Sequence, residues 1–108
     1  WHEAVGMFLD MRQNHLVPTV ITYSAAISAC EKGARWREAL GMFLDMRLRR
    51  LEPDVITYSA AISACEKGAR WHEAVGMFLD MRPRRLEPNV GNYSAATNAC
   101  ERALGGTR

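Results

Sequence analysis

The sequence predicts an all-α protein, an α-solenoid of stacked antiparallel helix pairs. Three observations carry that reading. First, Val20–Asp54 returns 35 residues later as Val55–Asn89 with four changes: Arg37 becomes His72, Leu40 becomes Val75, Leu48 becomes Pro83 and Asp54 becomes Asn89. Second, apolar residues within each copy recur at the three- and four-residue spacing of a helix face, and no stretch shows the two-residue alternation of a strand. Third, glycine at Gly33 and Gly68 and proline at Pro18, Pro53 and Pro88 punctuate the chain at the same period. A fixed period of this length marks supersecondary units that stack, because one such unit cannot bury enough surface alone.

Taken in order, residues 1–19 read as the second half of a unit. Trp1, Ala4, Val5, Phe8 and Met11 form one stripe, and Gln13–Pro18 is a connector, since Pro18 cannot continue a helix. Residues 20–54 are a complete unit. Its first helix starts beside Thr19 and runs to about Lys32, with Val20, Tyr23, Ile27 and Cys30 on one face. Thr19, Asp54 and Asn89 are candidate N-caps, with Thr22 and Thr57 as second candidates one turn later. Small residues (Ser24, Ala25, Ala26, Ser28, Ala29) fill the rest and allow close helix approach. Gly33, and later Gly68, is expected to end the helix in the usual C-terminal role of glycine.

The second helix carries Trp36, Ala39, Leu40, Phe43 and Met46 and ends between Arg47 and Arg49. Pro83 stands in place of Leu48 in the next copy, and a proline well inside a helix would cost about 3 kcal/mol. Residues 55–89 repeat this unit. Residues 90–108 are the first half of another, or a C-terminal cap: Gly91, Asn92, Thr97 and Asn98 replace Ile56, Thr57, Ile62 and Ser63, and the chain finishes Gly105, Gly106, Thr107, Arg108. Starting at Trp1 in mid-unit without a methionine, the chain reads as a segment of a longer repeat protein.

Composition narrows the function classes. With 48% apolar and 24% charged residues the chain belongs among ordered globular proteins. A net charge of +2 neither demands nor excludes a nucleic acid. Cys30, Cys65 and Cys100 sit one per unit with no CxxC pair, a pattern of buried, reduced thiols rather than of a disulfide framework or zinc site. His2-Glu3 and His72-Glu73 begin like a zinc-protease helix, but Gly6 and Gly76 stand where the second histidine is needed. Asn92-Tyr93-Ser94 is formally a glycosylation sequon, discounted at a helix start. Met42, Phe43 and Met46 are core spacing rather than a cofactor box. No phosphate loop, carboxylate pair or nucleophile constellation is visible, so no enzyme activity, cofactor or metal is expected.

The 35-residue period, the TYSAAI start and the LEPD or LEPN ending resemble the pentatricopeptide repeat family over essentially the whole chain. The resemblance implies a right-handed superhelix that binds single-stranded RNA in a mitochondrion or plastid, one base per repeat, and supports RNA processing, stability or translation. It assigns base selection to Ser24 with Asp54 and to Ser59 with Asn89, favouring guanine and adenine respectively. It makes Ile21 and Ile56 the walls that sandwich bases, a role Gly91 cannot fill without a side chain. It brings Lys32, Lys67 and Arg102 near phosphates. The chemistry is sound, because serine offers a hydroxyl, Asp only accepts hydrogen bonds and Asn both donates and accepts. The competing readings are plain: Asp54 and Asn89 as caps, Ser24 and Ser59 as small packing residues, Lys32 and Lys67 as solvated helix ends. The alternative function is that of a scaffold subunit, binding protein in a large organellar assembly.

Overall fold

The structure, a computed structural model, describes residues 1–105; Gly106–Arg108 lie outside the described residues. Six α-helices and no strand make up the described chain: α1 (His2–Gln13), α2 (Val20–Lys32), α3 (Trp36–Leu48), α4 (Val55–Lys67), α5 (Trp71–Met81) and α6 (Val90–Gly105). The chain is an all-α repeat solenoid, about 50 × 29 × 21 Å.

Two layers result. The helices α2, α4 and α6 pack directly on one another in sequence, while the backbones of α1, α3 and α5 approach only the first-layer helices and meet each other through side chains alone. The closer layer lies on the inside of the curve, so α2, α4 and α6 line the concave side. Small residues permit this approach: Ala26, Ala60, Ala61 and Ala64 are buried between the axes. Tyr23, Ile27, Tyr58 and Ile62 fill the core with no exposed surface, and Phe43 meets Tyr58 edge to face at 5.1 Å. Phe8 with Tyr23 and Phe78 with Tyr93 repeat that contact.

Charged side chains bridge the helices of the second layer. The Tyr23 hydroxyl donates to Asp45 at 2.5 Å and the Tyr58 hydroxyl to Asp80 at 2.5 Å. Each carboxylate is also reached by an arginine of the preceding helix in that layer, Arg12 to Asp45 at 3.7 Å and Arg47 to Asp80 at 3.5 Å. Arg49 and Arg84, one turn on, complete each clasp at 3.3 and 2.9 Å. The tyrosine hydroxyl chiefly, with the arginines, holds both aspartates below the usual carboxylate range. Burial and the carboxylate push the Tyr23 phenol up to about 12 and the Tyr58 phenol higher still.

Helix starts follow expectation and resolve the choice between caps. Thr19 and Thr22 act together, as do Asp54 and Thr57, each pair forming a reciprocal capping box. Pro83 accounts for α5 ending at Met81, two residues short of the point where α3 ends.

The glycines behave differently from expectation. Gly33 and Gly68 have φ of −86° and −87°, not left-handed values. The left-handed residues are Ala34 and Ala69, at φ 57° and 59°, with His15, Arg50 and Arg85 in the same role after α1, α3 and α5. In each turn the left-handed residue donates three residues back and the next one donates five back, for example Ala34 N–H to the Glu31 carbonyl and Arg35 N–H to the Cys30 carbonyl. Glycine is required for packing instead. A Cβ on Gly33 would lie 2.7 Å from Cδ1 of Trp1, and one on Gly68 only 2.2 Å from Cδ1 of Trp36. Arg35 then covers the Trp1 ring at 4.2 Å and Arg70 the Trp36 ring at 4.5 Å.

A stabilising substitution follows. A left-handed alanine pays the steric cost that glycine avoids, so Ala34→Gly and Ala69→Gly should each raise stability by about 1 kcal/mol. Urea denaturation of the single and double variants reads this directly; an unchanged or lowered midpoint would show that the turns carry no strain.

Cys30 and Cys65 are buried, and burial pushes the Cys65 thiol up to about 11. Cys100 departs from the expected pattern and is exposed. No further helix lies over α6 among the described residues, so its equivalent face stays open. Thr97 and Asn98 are exposed on the same helix. No helix of the described residues is long and apolar enough to cross a membrane.

Candidate nucleic-acid interface

The concave layer brings the sequence-predicted base-selecting and wall residues together at the starts of α2, α4 and α6, while Lys32, Lys67 and Arg102 lie in the last turns of those helices. Ser24, on the second turn of α2, is 9% exposed, and its Oγ lies 2.7 Å from Oγ1 of Thr57 on α4. Thr57 in turn donates its hydroxyl to Oδ1 of Asp54 at 2.8 Å, and the Thr57 N–H reaches the same oxygen at 2.9 Å. Ser24 and Asp54 are therefore linked through a residue of the next helix pair. The link recurs one period later with different chemistry. Asn92 on α6 donates from Nδ2 to Ser59 Oγ at 2.9 Å, accepts the Asn89 N–H at 2.9 Å, and gives its own N–H to Asn89 Oδ1 at 2.8 Å.

Asp54 and Asn89 are helix caps, as one reading of the sequence held, yet capping does not use them up. Both remain exposed, and capping occupies only Oδ1 of each. Oδ2 of Asp54 and Nδ2 of Asn89 make no hydrogen bond among the described residues. At the first site the remaining group is an acceptor, at the second a donor.

The proposed walls stand beside these pairs. Ile21 and Ile56 are 80% and 63% exposed, apolar side chains on the concave side with nothing covering them. A Cβ on Gly91 would sit 3.3 Å from Asn89 Oδ1, so the wall position directly adjoins the terminal residue of the preceding unit. Val90, 82% exposed, is the nearest apolar side chain to that gap in sequence.

The basic residues differ among themselves. Lys32 is exposed at the end of α2 and has no ion pair among the described residues. Lys67 is drawn to Glu31 of the preceding unit, which also accepts from Ser63 at 3.1 Å. Arg102 lies over the Trp71 ring at 5.8 Å.

Thr57 and Asn92 are what sequence reasoning missed. Thr57 was legible only as an alternative cap, and Asn92 only as half of a discounted sequon. The available signal was a hydrogen-bonding residue at the third position of every unit, Thr22, Thr57 and Asn92, amid small and apolar neighbours. Asn92 is 2% exposed with both ends of its amide hydrogen-bonded, which leaves no room for a glycan.

Three family models match the chain: the PPR repeat family over residues 18–67, the pentatricopeptide repeat domain over 2–32 and the PPR repeat over 56–82. No curated protein matches it. The crystal structure of the pentatricopeptide repeat protein PPR10 from maize is similar over 98% of this chain, with 29% identity and a TM-score of 0.77. The same protein in complex with an 18-nt psaJ RNA element is similar over 94%, with 28% identity and a TM-score of 0.76. The chain spans 15% of the length of PPR10 in both.

Proposed function

Because the chain belongs to the pentatricopeptide repeat family, we propose that it binds single-stranded RNA along the concave layer, one base per repeat. Ser24 with Asp54 reads guanine, and Ser59 with Asn89 reads adenine. Ile21 and Ile56 flank the bases, Lys32 approaches a phosphate, and Lys67 and Arg102 do so by leaving Glu31 and Trp71. The setting is a mitochondrion or plastid, and the role is support of RNA processing, stability or translation. One observation carries the reading: each serine is tied to the Asp or Asn of its own repeat, leaving opposite hydrogen-bonding groups exposed beside bare isoleucines. A second reading, that of a scaffold binding protein, draws on Leu9, Leu44 and Leu79. These are 50%, 53% and 62% exposed at the same period on the outer layer.

The test is an NMR titration of the chain with short single-stranded RNA. Amides of Ile21, Ser24, Ile56, Ser59 and Asn89 should shift, with affinity no tighter than micromolar, because each base adds only about 1–3 kcal/mol even on aromatic platforms. Affinity should fall with salt as the basic residues release counterions. Asn89→Asp should move the preference at its site from adenine towards guanine by about tenfold. Shifts absent from α2 and α4 would overturn RNA binding; shifts with a protein partner at Leu44 and Leu79 would favour the scaffold.

A further inference from the structure

We infer that Thr57 and Asn92 are specificity-determining residues, each fixing whether the serine of the preceding repeat donates or accepts towards a base. The inference rests on the proposed RNA binding and adds a third position to each reading pair.

Proton bookkeeping carries it. Thr57 has one hydroxyl proton, and the carboxylate of Asp54, 2.8 Å away, has none to give, so Thr57 donates to Asp54. The 2.7 Å contact between Ser24 and Thr57 must then be donated by Ser24. Thr57 Oγ1 also accepts the Asp54 N–H at 3.3 Å, which fills its two lone pairs. Ser24 has spent its only proton inward. It offers a base lone pairs alone, alongside Oδ2 of Asp54, and the site is acceptor-only. Such a site suits the N–H groups on the edge of guanine.

The second site has the reverse polarity despite the same serine. The Asn89 N–H can only donate, so the group of Asn92 facing it at 2.9 Å is the amide oxygen. The opposite end, Nδ2, therefore faces Ser59 and donates to it at 2.9 Å. Ser59 accepts, keeps its proton, and is more exposed than Ser24. With Nδ2 of Asn89 also unengaged, the site presents donors, which suit the ring-nitrogen acceptor of adenine. The serine is the same at both sites; the residue at the third position of the following repeat sets its polarity, alongside the Asp or Asn that ends the repeat.

Asn92→Thr tests the inference with a residue that the preceding copy already carries at the same position. A threonine there donates to Asn89 Oδ1 and takes the Ser59 proton. Affinities of wild type and variant are measured by NMR for the RNAs UUGAUU, UUAGUU and UUGGUU, the first two covering both orders of the bases. Wild type should favour the better adenine-containing RNA over UUGGUU by about tenfold, and Asn92→Thr should cut that ratio below about threefold with Asn89 unchanged. Without RNA, the Asn92 side-chain amide signal should lose its hydrogen-bonded shift in Ser59→Ala. If Asn92→Thr ranks the RNAs as wild type does, the inference is overturned while RNA binding stands. Equal weakening for all three RNAs would make Asn92 a purely structural residue and overturn it too. Wild type binding none of them would remove RNA reading itself, and this inference with it.

Discussion

Gly68→Ala should lower the stability of the chain by about 3 kcal/mol, at the upper end of overpacking costs for one added methyl. The new Cβ would stand 2.2 Å from Cδ1, 2.5 Å from Cγ and 2.8 Å from Cβ of Trp36. Those atoms are the root of the indole and not a free end, so the ring cannot swing clear without moving α3 or the turn after α4. Arg70 stacked over the ring at 4.5 Å further restricts its movement. The contrast is Gly76, inside α5, where a Cβ would meet nothing within 4 Å. There the same glycine-to-alanine change should stabilise the chain by about 1 kcal/mol through helix propensity. Urea denaturation of both variants should give opposite signs. A double-mutant cycle makes the cause specific: in a Trp36→Ala background, the penalty of Gly68→Ala should shrink below about 1 kcal/mol. A penalty that persists without the indole would place the strain in the backbone.

Tyr58→Phe should cost about 2 kcal/mol at neutral pH, the size of a buried hydrogen bond to a charged group. The ring contacts with Phe43 survive the change, so the loss reports the hydroxyl and the carboxylate it serves. The loss should also depend on pH, on both sides. Asp80 is held below the usual carboxylate range, chiefly by the Tyr58 hydroxyl. That stabilisation is full above the ordinary aspartate pKa of about 4 and disappears as pH falls through the lower folded value. The phenols are raised, so their contribution is full below the ordinary tyrosine pKa of about 10 and is lost as pH rises through the folded value. For Tyr23 that value is about 12, and for Tyr58 it lies higher. Stability of the wild type should therefore fall below pH 4 and again above pH 10, and Tyr58→Phe should flatten part of each limb. A loss of the same size at every pH would assign Tyr58 a packing role only.

Helices were the legible part of this chain, because period and punctuation are local properties. Val20–Lys32 and Trp36–Leu48 could be drawn from apolar spacing, one proline and one substitution, Leu48 to Pro83. The turns were not legible. Glycine before alanine invites a left-handed glycine, but Gly33 and Gly68 keep negative φ and Ala34 and Ala69 take the strain. The deciding contact comes from a tryptophan 32 residues earlier, Trp1 on Gly33 and Trp36 on Gly68, which no local rule contains. The same holds at the candidate site. Resemblance could nominate Ser24, Asp54, Ser59 and Asn89, but Thr57 and Asn92 join them only once consecutive helix pairs are stacked. Cys100 was misjudged for a related reason: burial of Cys30 and Cys65 depends on the next unit, and repetition of sequence does not repeat a neighbour.

The tryptophan–glycine contact has a consequence for how such a gene can change. Trp1 meets Gly33 as Trp36 meets Gly68, and the flanking text is nearly the same in both copies. Unequal crossing-over between the DNA of two copies would insert or excise one whole 35-residue unit. Every junction left behind would still join a tryptophan to a glycine, so no interface would have to be reinvented. Length becomes a trait that recombination can alter in a single event, while point mutation at Asp54, Thr57, Asn89 or Asn92 revises one position at a time. Nearly identical copies are the raw material for the first process, and the four differences between them record the second.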